Sequence, residues 1–270
     1  MNGRADQHQK ATQLFLSEWS DSKWDMRIAL ISDIHGNLAA LEAVAGDLRN
    51  RGVDQVVNLG DSVSGPLLPL ETAQYIMAQG WLSLAGNHER QILNDGPERR
   101  SASDEYAHSQ LIAKEFAWLQ PLPTSILLTA EVFLCHGTPS SDTAYFLETV
   151  EVGGVRAASP EKIELRLGRQ RVPFIARGHT HIARAVRTRQ GQLIVNPGSV
   201  GLPAYDDVHP FPHVVETGSP DARYAIVEKS CHGWDVLQLS VSYNHQSMAE
   251  LARRRGRTDW ERALLTGYMP

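Results

Sequence analysis

Asp33 and His35, in the stretch ISDIHGN (31–37), stand two residues apart just beyond an apolar run. On extended backbone their side chains therefore share one face. His179 and His181, in GHTH (178–181), repeat that spacing. Three more polar clusters lie between them: Gly60–Asp61 after VVNL, GNHE (86–89) after WLSLA, and CHG (135–137) after EVFL. Carboxylate, imidazole and carboxamide groups are hard to borderline donors, suited to manganese, iron, zinc or nickel rather than to a thiolate-held structural zinc. Asp33, His35, Asp61, Asn87, His136, His179 and His181 offer more donors than one ion takes and suit two. Asp61 has two oxygens with which to bridge a pair. Each cluster alone reads as a turn or a hydrogen-bonded core histidine. Five of them, each where a buried strand emerges and together using five of the eleven histidines, read as one site. Such strand edges are where open α/β sheets bind ligands.

The elements that must carry these clusters alternate. RIALIS (27–32), QVVNL (55–59) and WLSLA (81–85) are apolar strand candidates. Between them, NLAALEAVAGDLRN (37–50) and LETAQYIMAQ (70–79) have helical spacing, with Asn37 as an N-cap and Gly52 just past the first helix. A longer helix is expected over roughly 103–119, stopped by Pro121 and Pro123. SILLT, EVFLCH and VPFIARG (172–178), then ARAVRT, QLIVNPG, RYAIVE and WDVLQLSVS, are short strands separated by Gly or Asn turns, the later ones an antiparallel stretch. Two short helices close the chain, with Gly256 ending the first and Thr258 with Glu261 forming a capping box for the second. Arg253, Arg254 and Arg255 then terminate a helix rather than form a nucleic-acid patch. Residues 201–221 carry four prolines and are expected as a long functional or disordered loop, with His209, Phe211 and His213 covering the core rather than lining a pocket.

A chain of 270 residues, 42% hydrophobic and 21% charged, has the composition of an ordinary globular protein with a sizeable core. The net charge of −5 argues against a broad basic surface for nucleic acid, which stays open only as a source of diesters. Two cysteines, Cys135 and Cys231, provide neither a disulfide framework nor a thiolate cluster, and suit a reducing cytoplasm. No apolar run is long enough to span a membrane. Residues 1–25 have no apolar core longer than LFL, unlike a signal peptide. They read as a polar extension, loosely docked or disordered, before a domain of residues 26–270 that includes the two C-terminal helices. A short amphipathic helix around Leu14, Phe15 and Trp19 is the competing reading.

The ordered series DIH, GD, GNHE, the histidine of CHG, and GHTH resembles the signature of the calcineurin-like metallophosphoesterases, over roughly residues 26–241. NPGSVGLP (196–203) and DIHGNLAALEAV resemble the small bacterial and archaeal phosphodiesterase branch of that family. The resemblance implies an α/β fold, a four-layer αββα sandwich with a dinuclear metal site at the strand edges. By it, Asp33, His35 and His181 hold one ion, Asn87, His136 and His179 hold the other, and Asp61 bridges them. His88 matches the family's acid beside the leaving oxygen, and Glu89 stands behind the ligands or serves structure alone. The implied cofactors are two divalent ions, Mn²⁺ first, with Fe, Zn or Ni as alternatives. The implied partner is a small-molecule phosphoester, hydrolysed by metal-activated water without a covalent intermediate.

One stretch departs from the pattern. Protein phosphatases of the family carry GDxxDRG, whose second Asp orients the catalytic histidine and whose Arg grips the phosphate. Here the stretch is GDSVSGP, with Ser64 and Gly65 in those places. A diester carries one charge on its phosphate and needs less cationic help. The expected activity is therefore hydrolysis of a small or nucleotide-like phosphodiester. The alternatives are a phosphomonoesterase on the same metals and a non-catalytic metal-binding scaffold, as in the retromer subunit of this fold. That scaffold's branch has lost metal and catalytic positions that are all present here.

Overall fold

The computed structural model describes residues 26–270, so the expectations for residues 1–25 lie outside the described residues. β1 (Arg27–Ile31) pairs in parallel with β2 (Gln55–Asn58), and β2 with β3 (Leu82–Ser83). On the other side β1 pairs antiparallel with β13 (Ala222–Ser230), which pairs with β14 (Gly233–Val241). The resulting order is β14-β13-β1-β2-β3. A second five-stranded sheet has the order β4 (Ser125–Thr129), β5 (Val132–Cys135), β8 (Phe174–Ala176), β10 (Leu193–Asn196), β9 (Arg184–Arg187).

Strand alternation builds the layers. Ile28 and Leu30 of β1 point between the sheets, into one core with Leu134, Phe174 and Val195 of the second sheet. Ala29 and Ile31 point the other way, onto Leu41 and Val44 of α1 (Leu38–Leu48) and Ile76 of α2 (Pro69–Gln79). Behind the second sheet, Cys135, Ile175 and Ile194 pack on Ile163 and Leu167 of α6 (Pro160–Leu167). Helix, sheet, sheet, helix is the four-layer sandwich. Fully buried side chains such as Leu30 contribute about 1.5–3 kcal/mol each to holding it. Asn37 caps α1 as expected, its side chain accepting from Ala40 N at 3.2 Å. Its Nδ2 donates to Gly201 O at 2.9 Å and so ties the loop after β1 to the NPGSVGLP segment. A Cβ on Gly201 would lie 1.7 Å from Ile34 O, so these loops need glycine to meet.

Four details differ from the sequence reading. The helix expected over 103–119 is two, α4 (Ala102–Gln110) and α5 (Ala113–Leu119), separated by extended Leu111 and Ile112. Ala107, Leu111, Glu115 and Leu119 are buried at a strict four-residue interval, which drifts about 40° per step on an unbroken helix. The extended pair resets the phase. Residues 201–221 contain a hairpin, β11 (Ala204–Asp207) with β12 (His213–Glu216). A second hairpin, β6 (Glu148–Glu151) with β7 (Gly154–Ala157), has no sequence signal, because β7 is half-exposed and lacks an apolar run. Thr258 does not cap the last helix. α8 (Thr258–Thr266) starts after Arg257, whose guanidinium is held by Asp259.

Of the three clustered arginines, one is tied into the fold. Arg255, just past α7 (His245–Arg254), donates to the carbonyls of Pro66 and Leu67 and lies over the Tyr106 ring. Gly256 takes the left-handed conformation with φ 75°. No helix among the described residues is long and apolar enough to cross a membrane.

Candidate metal centre

The carboxyl ends of β1, β2, β5 and β8 all open at one edge, and the polar clusters sit in the turns that follow them. α3 (Asn87–Asn94) begins at the GNHE cluster after β3. Backbone hydrogen bonds knit these turns together: Asp33 N donates to Gly60 O, His35 N to Asp61 O, and Gly178 N to His136 O, at 2.8–3.0 Å. Five non-glycine residues among those described have positive φ: Asp33 (55°), His35 (52°), Asp61 (55°), His179 (71°) and His181 (57°). Each such residue costs about 1–2 kcal/mol, and such strain persists where the surroundings enforce it and function uses it. All five are candidate ligands.

One donor atom from each of Asp33, His35 and His181 lies within 4.8 Å of the others, and the same holds for Asp61, His136 and His179. The two groups adjoin, since His136 Nε2 is 4.0 Å from Asp33 Oδ1 and 2.9 Å from Asp61 Oδ2. Outward hydrogen bonds fix the imidazoles. His35 Nδ1 donates to Ser64 O, His136 Nδ1 to Leu59 O and His181 Nδ1 to Leu202 O, each at 2.8 Å, which leaves Nε2 as the lone-pair nitrogen. His179 is turned round: Nε2 donates to Thr143 O at 2.8 Å, leaving Nδ1.

These residues fit a pair of cations. With both Nδ1 atoms donating, His35 Nε2 and His181 Nε2 face each other at 3.1 Å, an approach that a shared proton or a shared metal ion makes favourable. Asn87 Nδ2 donates to Gln91 Oε1 at 3.3 Å, and this orients the amide so that Oδ1 is buried without a hydrogen-bond partner. His136 Nε2 is buried too, and faces the Asp61 carboxylate at 2.9 Å. A buried orphan acceptor among ligand-type side chains fits an ion's place.

Electrostatics point the same way. Burial pushes the Asp33 carboxyl up, but His181 and His136 beside it outweigh burial and hold it at about 2. Asp61 is also held well below its usual range, burial again being outweighed by His136, His88 and His35. Burial, reinforced by His181, pushes His35 down to about 4; burial and His136 push His179 to about 3. Both imidazoles are thus neutral near pH 7 and ready to ligate. His136 goes the other way, to about 9, because Asp61 outweighs burial, so a cation there competes with a proton.

The residues behind the donors are equally fixed. Glu89, fully buried, accepts from Asp61 N (2.9 Å), Ser62 N (2.7 Å) and Gly86 N (2.7 Å), and so moulds the turn that carries Asp61. Gly86 must stay glycine, since a Cβ there would lie 2.2 Å from Asp61 Oδ1. Arg177 and Glu148, both fully buried and paired at 3.0 Å, brace the GHTH turn through Thr180, whose hydroxyl donates to Glu148 Oε2 at 2.9 Å. Cys135 packs on the helical side of the second sheet, its thiol pushed to about 12 by burial, and takes no part.

His88 is half-buried and its N donates to Asp61 Oδ1 at 3.0 Å. Its Nδ1 lies 2.7 Å from Asp104 Oδ1, a partner the sequence did not disclose. Asp104 sits in the first turn of a polar helix, where an acidic residue is ordinary, so nothing local singled it out. Burial lowers the affinity of His88 for its proton, but Asp61 and Asp104 outweigh it and hold the imidazolium to about 10.

All these donors except Asp33 and His136 line a cavity of about 980 Å³, walled further out by Tyr145, Tyr205, Arg166, Arg257 and Trp260. His209 lines it too, contrary to the reading of that residue as cover for the core. His213 does cover the core: it is buried, with Nε2 2.9 Å from Tyr145 Oη. Phe211 is 43% exposed and belongs to none of the core clusters among the described residues.

The family model of the calcineurin-like phosphoesterase superfamily domain matches residues 26–217, most of the chain. The chain belongs to that superfamily. It is also similar to protein MJ0912 of Methanocaldococcus jannaschii, with 28% identity over 201 residues, 65% of this chain and 76% of that protein. Among solved structures it resembles a metallophosphoesterase from Sphaerobacter thermophilus, with TM-score 0.69 and 26% identity over 90% of this chain and all of that one. Protein PH1004 from Pyrococcus horikoshii shares the fold at TM-score 0.68 and 15% identity, over 91% of this chain and all of that one. A calcineurin-like phosphoesterase domain binds divalent metal and hydrolyses phosphoesters, and this chain has two clusters of candidate metal ligands. The C-terminal helices α7 and α8 lie beyond the matched residues.

Proposed function

We propose that this phosphoesterase is a dinuclear, Mn²⁺-dependent phosphodiesterase acting on a small or nucleotide-like diester. The carrying observation is the pair of adjoining donor groups, with Asn87, whose buried Oδ1 lacks a hydrogen-bond partner, lining the same cavity. Asp33, His35 and His181 would hold one ion, Asn87, His136 and His179 the other, and Asp61 both. Bound there, the ions would supply Lewis acidity to the phosphoryl oxygens and acidify water. Water's oxygen bonds to phosphorus as the ester P–O bond breaks. His88, its Nδ1 taken by Asp104, passes a proton from Nε2 to the leaving oxygen and regains one from the water. The products are a phosphomonoester and an alcohol. A histidine at the cavity held by a sealed-off carboxylate, Asp104, favours catalysis over a scaffold.

The preference for a diester rests on the scarcity of free cations at the phosphate. A side chain at Gly65 would meet His35 O at 2.5 Å and Trp260 at 2.8 Å, so no arginine fits there. Arg257 is engaged by Asp259 and Ser103, and Arg166 by the carbonyls of Phe146 and Glu148. The two cysteines are free, which supports placement in a reducing cytoplasm. With Mn²⁺ supplied, kcat/KM for bis-p-nitrophenyl phosphate is expected to exceed that for p-nitrophenyl phosphate by about tenfold or more, as about 1.4 kcal/mol of differential binding would give. A preference for the monoester would move the assignment to a phosphomonoesterase.

A further inference from the structure

We propose that Asp104, carried to the site by α4, is the positioning residue for His88, fixing which ring nitrogen faces the cavity. The proposal rests on the reading of His88 as the proton donor and adds the group that makes it one.

Both oxygens of Asp104 are committed. Oδ1 lies 2.7 Å from His88 Nδ1 and accepts from Ser64 Oγ at 2.7 Å. Oδ2 accepts from Ser101 Oγ at 2.7 Å, while the Asp104 backbone N–H donates to that same hydroxyl at 3.1 Å. The carboxylate is 2% exposed whereas the His88 ring is 25% exposed, so the orienter is sealed off and the imidazole reaches the cavity. A carboxylate accepts and cannot donate, so the proton on that side belongs to Nδ1. Nε2 is then the nitrogen left for a substrate.

The ring is also held in place. Its neighbour on the ligand side is His35, at 5.4 Å between centroids and 77° between planes. Without Asp104 the imidazole could rotate about χ1 and χ2 toward open cavity. Ser64 gives the arrangement a second support. Its hydroxyl braces Asp104 while its carbonyl accepts from His35 Nδ1, so one residue sets both the positioning carboxylate and a candidate ligand. α4 is anchored in turn from the C-terminal helices, because Arg257 Nη1 donates to Ser103 Oγ at 2.9 Å.

The test compares Asp104→Asn, Ser64→Ala, His88→Ala and the double variant Asp104→Asn/His88→Ala in the Mn²⁺-loaded full chain. Substrates are a diester with an alkyl leaving group and bis-p-nitrophenyl phosphate. Asp104→Asn is expected to retain its metal and to lose about 10–100-fold in kcat on the alkyl diester, with little change in KM. The loss should shrink on the nitrophenyl diester, whose leaving group needs no proton. The double variant should be no slower than His88→Ala, since two residues acting as a unit are not additive. Ser64→Ala, which keeps the His88–Asp104 contact, should show a smaller loss with the same leaving-group pattern. If Asp104→Asn misfolds, that pattern in Ser64→Ala decides: its presence supports the role and its absence overturns it. Equal losses on both substrates, or additive losses in the double variant, would overturn the Asp104 role while leaving His88 as the donor. A His88→Ala loss without leaving-group dependence would remove the donor reading and this proposal with it.

Discussion

His88→Ala leaves metal content at the wild-type level and slows hydrolysis of an alkyl diester by about 10²-fold or more. The ring is not among the two donor groups, so no ligand is lost. On the proposed mechanism, what goes is the proton for the departing alkoxide. With bis-p-nitrophenyl phosphate the loss shrinks, because nitrophenolate leaves without help. The pH profile carries the same signature. In the wild type the donor is present at low pH and lost as pH rises through the His88 pKa. Asp61 and Asp104 together hold that pKa at about 10 against burial, and cations on Asp61 take away part of this support. The alkaline limb for the alkyl diester therefore lies between 6.5 and 10, and is absent from the variant. Steady-state rates on both diesters across pH check this; equal losses on both would strip His88 of the role.

Asp61→Asn is expected to cut bound Mn²⁺ from two ions per chain to fewer than one and to lower turnover by about 10³-fold or more. Asp61 stands 2.9 Å from His136 and shares the His35 side of the cavity, so one neutralised carboxylate weakens both ions' places. The amide keeps an oxygen for the His88 N–H, so the turn itself survives. Metal analysis and the Mn²⁺-induced rise in Tm read the effect, since a chain that holds no ions gains nothing from mass action. Retention of both ions would show that Asp61 does not join them.

The candidate site was legible in sequence because its residues sit in short runs at strand ends. DIH and GHTH carry two donors each at i and i+2, and the apolar strands before them announce where they emerge. The sandwich was legible for a related reason: β1, β2 and α1 have periodicities that longer-range contacts do not override. Asp104 was not legible. Its partner is 16 residues away across a change of helix, and neither residue's neighbours point at the other. Nor was the hairpin within 201–221, whose strands are set by pairing between Tyr205 and Val215 and their neighbours rather than by an apolar run. The break at Leu111–Ile112 escaped because both residues are good helix-face hydrophobics, and only the packing of α5 shows that one helix cannot bury both halves. The cavity role of His209 escaped because it depends on where the hairpin tip folds.

The most direct measurement is a Mn²⁺ titration of the purified full chain, counting bound metal by elemental analysis while following hydrolysis of bis-p-nitrophenyl phosphate on the same samples. A dinuclear phosphodiesterase binds two ions per chain, and its turnover reaches a maximum only as the second place fills. Saturation at one ion with full diester turnover would contradict the dinuclear site.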